Sequence, residues 1–182
     1  TIENQDLHAD STEVDMVIIT PVSGIFDSEA QRLADAHAAT DGLRCRVVRA
    51  DKIYNEFSSG TPDVSAYRMY MKMLYERQAV APRYLLLFGD CAADNRMLSR
   101  SWVTFDRNNF LLCFESENST SDTDAFVCED YLGMLDDGEG GNPKSDKGDV
   151  AVGRFTVRTR SEAKVMVDKT IEHLRGTTGV CN

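Results

Sequence analysis

In the stretch YLLLFGDCAADN, residues 84–95, an apolar run stops on Gly89-Asp90-Cys91. The end of a buried strand is where α/β enzymes often hold a nucleophile, so Cys91 is the first residue to test for chemistry. A cysteine nucleophile needs a base to take its proton, most often a histidine. The chain has three: His8, His37 and His173. His8 lies in a polar leader, His37 falls on the apolar side of a predicted helix, and His173 sits near a helix end, where a cation favours the dipole. None belongs to a loop beyond a strand, so Cys91 has the position of a nucleophile without a partner.

Asp90 permits a second reading. An acid at the end of a third strand is where receiver domains carry their phosphoacceptor, but Thr20-Pro21 occupies the place where such domains need magnesium-binding acids. Nucleotide binding fares no better, because neither GxxxxGK[ST] nor GxGxxG follows a strand. The remaining carboxylates are hard oxygen donors of the kind calcium takes. Asp122, Asp124, Glu129, Asp130, Asp136 and Asp137 cluster in two acidic loops without EF-hand spacing, and Asp90 pairs with Asp94 beyond the third strand. Asp90, Asp94, Asp122, Asp124 and Asp130 are the candidate calcium ligands. The same acids also read as solvated surface carboxylates, with Asp90 capping the N–H groups of its own loop.

These residues need a frame to hold them. Met16–Thr20 and Tyr84–Phe88 are short continuous apolar runs, the pattern of strands buried on both faces. Between them Ser28–Gln31 matches a capping box, and Ala30, Leu33, Ala34, His37 and Ala38 keep helical spacing up to Gly42. A strand is expected over Leu43–Ala50 and a helical turn over Asp51–Phe57. Thr61-Pro62-Asp63 has the features of a helix start, with Ala66, Met69, Tyr70, Met73 and Leu74 on the buried face. Phe110–Phe114 reads as a strand, residues 138–148 as a Gly-rich surface loop, and Asp149–Arg154 as the last strand. Thr159–Glu162 then forms a capping box for a final helix facing the sheet through Val167, Ile171 and Leu174. Alternation of this kind implies an α/β fold with a parallel sheet of about four or five strands flanked by helices.

The chain's 182 residues suffice for one domain with a sizeable core. A formal charge of -10 argues against nucleic acid or an anionic membrane surface as partner, since both need a positive footprint. No apolar run approaches the roughly 20 residues that span a bilayer. The five cysteines, Cys45, Cys91, Cys113, Cys128 and Cys181, lack CxxC spacing, which argues against zinc ribbons and thioredoxin-type chemistry. Cys45 and Cys113 sit in apolar runs and read as core residues. A start at Thr1 and a blunt end at Asn182 read as a piece of something longer.

The order and spacing of these segments resemble the gingipain-type cysteine peptidases, and within them the PorU-like sortases of the type IX secretion system. Ile53–Ser58, Gly60–Asp63 and Gly153–Arg158 carry the resemblance most specifically, and it spans residues 14–175, after a polar leader at 1–13 and before a truncated link at 176–182. It implies a caspase-like fold of two side-by-side subdomains, of which this chain matches the first. The catalytic histidine and cysteine belong to the second, and the family's Gly-His-Gly motif is not found here. Where relatives often carry Gly-Asp-Gly, this chain has Gly89-Asp90-Cys91, which weakens the nucleophile reading of Cys91. By resemblance, the parent is a secreted or cell-surface cysteine endopeptidase of a Bacteroidota bacterium, associated with the outer membrane. The resemblance also implies calcium as a ligand, and as partners the chain's own catalytic subdomain and proteins bearing a C-terminal secretion signal. A stand-alone α/β binding or scaffolding domain is the alternative.

Overall fold

A computed structural model describes residues 5–115, 126–142 and 145–176. Strand β1 (Met16–Thr20) is buried along its whole length. Helix α1 (Asp27–Thr40) leads to β2 (Cys45–Arg49), and α2 (Ala50–Phe57) and α3 (Val64–Arg77) lead to β3 (Tyr84–Phe88). Two short 3-10 turns, Arg107–Asn109 and Glu129–Gly133, occupy the long connection to β4 (Ala151–Phe155) and α4 (Arg160–Leu174). The four strands are parallel, in the order β2-β1-β3-β4.

The period-two alternation of a strand explains why the central runs are apolar throughout. Val17, Ile19, Leu85 and Leu87 point to one face and pack with Ile53, Tyr67, Tyr70 and Met71 of α2 and α3. Met16, Ile18, Leu86 and Phe88 point to the other and pack with Leu33 of α1 and Val167 of α4. Each fully buried side chain of this size contributes about 1.5–3 kcal/mol of hydrophobic stabilisation. The α/β, caspase-like architecture expected from the sequence is present, with four strands among the described residues.

Several local expectations shift. Helix α1 begins at Asp27, one residue before the expected capping box, and its N-cap Phe26 makes no side-chain cap. The fully buried Phe26 anchors that turn against Phe88, and the Asp27 carboxylate accepts from Thr20 Oγ1 at 2.7 Å. Asp63, not Thr61, caps α3, accepting from the Ser65 N–H. On α3, Met69 is exposed whereas Tyr67 is buried, its hydroxyl bonded to that of Tyr54. Phe110–Phe114 is not a strand: Asp90 O and the Asn95 side chain take its backbone groups, and among the described residues an isolated antiparallel bridge joins Glu115 to Val127. Thr159 and Glu162 do form the expected capping box, and Gly42 closes α1 at φ +67°. Among the described residues no helix is long and apolar enough to cross a membrane.

Candidate functional site at the carboxyl ends of the strands

In open α/β sheets, ligands bind outside the carboxyl ends of the strands where the strand order reverses, which here lies between β1 and β3. Beside Gly89 that crevice is narrow, and a cavity of about 690 Å³ lined in part by Val22, Tyr54, Asn95 and Leu112 lies at the same end of the sheet. A Cβ placed on Gly89 would stand 3.0 Å from Pro21 Cγ and 3.6 Å from Leu111 Cδ1, so the segments after both strands are in contact. Gly89 N and Asp90 N donate to Phe155 O and Val157 O, carrying the β3–β4 ladder past the strand ends.

Asp90 is 9% exposed and fully engaged. Its Oδ1 accepts from Cys91 N at 2.9 Å, and its Oδ2 receives Arg158 Nε. The Arg158 guanidinium lies 5.5–5.9 Å from the ring centres of Trp102, Phe105 and Phe110, a geometry that favours a cation. Beside it, Arg154 Nη2 and Nε donate to Glu129 Oε1 at 2.7 and 3.0 Å, Nη1 to Gly89 O at 3.0 Å, and Nη2 to Leu112 O at 2.9 Å. The other carboxylate oxygen, Glu129 Oε2, is buried without a hydrogen-bond partner. Burial raises the Glu129 carboxyl above its ordinary range despite the pull of Arg154.

Cys91 is half-buried and Cys113 fully buried. A hydrogen bond between the two thiols draws Cys91 below the ordinary thiol range, with a further pull from Arg154; the same bond, together with burial, pushes Cys113 up. Cys45 is only half-buried, not fully in the core, and burial raises its thiol to about 11.

No histidine acts on Cys91. His8 is exposed, pairs with Glu56 at 2.8 Å and stacks on Phe57 at 4.5 Å. His37 pairs with Asp41 at 2.8 Å, and His173 lies in the last turn of α4. The groups acting on the Cys91 thiol are Cys113, Arg154, Glu129 and Asp90. What the arrangement does is clamp the loop after β3 to the ends of β3 and β4.

Among the described residues, the predicted cation ligands Asp90, Asp94 and Asp130 do not converge. Asp90 is held by Arg158; Asp94 accepts backbone N–H groups of Arg96, Leu98 and Ser99; Asp130 is exposed. Asp122 and Asp124 lie outside the described residues. Among the described residues, the acids whose oxygens converge are Asp136, Glu139 and Asp149, within 4.8 Å of one another. The sequence reading missed Arg154, Arg158 and the Cys91–Cys113 contact. Arginines inside and just after an otherwise apolar strand were the available signal for the first two.

The family model described as Peptidase family C25 matches residues 9–181. Dimeric latent PorU from Porphyromonas gingivalis superposes with a TM-score of 0.82 and 39% identity, over 94% of this chain and 16% of that one. The Arg-specific cysteine proteinase gingipain R (RgpB) gives 0.58 and 16%, over 93% of this chain and 30% of that one. A complex of P. gingivalis RgpB pro- and mature domains gives 0.57 and 20%, over 86% and 28%. The last two show the fold alone, and this chain spans less than a third of each solved chain. No curated protein matches.

Proposed function

The chain belongs to peptidase family C25, and we propose that within such a peptidase it serves as the first, non-catalytic subdomain, supporting a catalytic subdomain across a continued sheet. One observation carries the reading: among the described residues β4 ends the sheet, with no strand paired to its outer side. In its register with β3, Ala151, Gly153 and Phe155 turn their backbone groups inward, so Val152 and Arg154 turn theirs outward. An unpaired parallel edge is a template for a further strand. At the amino ends of β1, β3 and β4 lies a groove of about 510 Å³ in which Met16, Leu43, Leu86 and Val152 are joined by His37, Asp41 and Arg83.

The parent in this reading is a PorU-like sortase at the bacterial surface that removes the C-terminal signal of proteins exported by type IX secretion. The much higher identity to PorU than to gingipain R supports that subgroup. In the parent, a thiolate outside this chain attacks the scissile carbonyl, a histidine protonates the leaving amine and backbone N–H groups hold the oxyanion. This chain's residues fix the platform. Calcium belongs to the proposal through the family resemblance, and Asp136, Glu139 and Asp149 are the described donors that suit it best.

Val152→Pro in the complete protein tests the reading. Proline removes an edge N–H that the β3 ladder does not use, so the isolated chain keeps its circular dichroism spectrum while cleavage of signal-bearing substrate is lost. Full cleavage by the variant would overturn the shared-sheet proposal.

A further inference from the structure

Two thiols that the proposed support role leaves unused stand together beyond β3. The backbone holds them there: Leu111 N donates to Asp90 O at 3.0 Å, and the Asn95 side chain bonds both the N–H and the C=O of Cys113, at 3.0 and 2.8 Å. Cys113 Sγ turns toward the loop that begins at Cys91: it lies 3.6 Å from the carbonyl of Ala92, the residue after Cys91, 3.6 Å from Asn95 Oδ1 and 3.8 Å from Glu115 Oε1. Cys45 is at the start of β2, by the opposite end of the sheet, and Cys128 is fixed by its N–H to Phe114 O.

We propose that Cys91 and Cys113 are a redox-active dithiol that closes to an intrachain disulfide by exchange with a low-molecular-weight disulfide. Cys91 is the entry point because it is the accessible member. Its thiolate attacks one sulfur of the small disulfide, forming a mixed disulfide and releasing one small thiolate. Cys113 then attacks the Cys91 sulfur, its proton passing to the second small thiolate as the mixed bond breaks and that thiol leaves. Two protein thiols lose two protons and two electrons, and the small disulfide is reduced to two thiols. The bridge staples residues 90–95 to the segment that supplies Leu112 O to Arg154, tightening the loop under Asp90 and Arg158.

The test equilibrates the 182-residue chain with oxidised glutathione, blocks free thiols by alkylation and maps peptides without reduction. A linked pair containing Cys91 and Cys113 is expected, with thermal unfolding raised by roughly 5–15 °C and restored by reductant. Cys113→Ser halts the reaction at a glutathione adduct on Cys91, and Cys91→Ser leaves Cys113 unmodified. Alkylation of both residues after oxidation, a persistent adduct on Cys91 in the unaltered chain, or a bridge from Cys91 to Cys128 would each overturn the proposal. Mapping of the unaltered chain decides the matter even where a serine variant fails to fold.

Discussion

Replacing Arg154 with methionine tests whether the clamp at the strand ends holds the platform together. The side chain is only 7% exposed and makes four hydrogen bonds, two of them to Glu129. Removing one partner of a buried pair costs about 3–5 kcal/mol, because the other charge stays buried and uncompensated. The stranded carbonyls of Gly89 and Leu112 push the loss toward the upper end. Against a total stability of about 5–15 kcal/mol, that lowers the melting temperature by roughly 6–20 °C. Urea unfolding followed by circular dichroism measures it. Burial already raises the Glu129 carboxyl, and a carboxyl raised in the folded state favours folding when protonated. The Arg154→Met deficit therefore shrinks as pH falls from about 7 toward 5, and it also shrinks when Glu129→Met is added. A loss below about 1 kcal/mol, or a deficit unchanged by acid and by the second substitution, would refute the reasoning.

Gly133→Ala places a Cβ 2.4 Å from Val150 O and 3.0 Å from Val152 Cγ2, so the turn beneath β4 must shift; calorimetry is expected to show a loss of about 1–3 kcal/mol. Asp15, whose carboxyl the Arg44 side chain holds down to about 2, stabilises the fold above its unfolded value of about 4 and loses that effect as pH falls through about 2. Asp15→Asn should thus lower stability at neutral pH and flatten the acid limb of the stability curve. Millimolar calcium should raise the melting temperature, as any ligand selective for the native state must, and Asp149→Asn should reduce that rise; no shift in the unaltered chain removes calcium from the proposal.

The strands were legible because burial on both faces demands unbroken apolar runs, which Met16–Thr20 and Tyr84–Phe88 display. Helix starts were less so, because local capping patterns compete with tertiary anchors: the buried Phe26 sets the start of α1, whatever the match at Ser28. Phe110–Phe114 has the composition of a strand, yet side chains from distant segments satisfy its backbone, and no local signal records that. At the site, the strand-end position of Asp90 could be read. Its partner Arg158 lies 68 residues away along the chain, so their pairing becomes visible only once β3 and β4 lie side by side.

The central claim is that this chain supports cleavage without performing it. Cys91→Ala in the complete protein, assayed under reducing conditions on a substrate with a C-terminal secretion signal, tests it most directly. The account predicts cleavage at the unaltered protein's rate. Loss of cleavage by a variant that keeps its circular dichroism spectrum and melting temperature would contradict it and return the catalytic thiol to this chain.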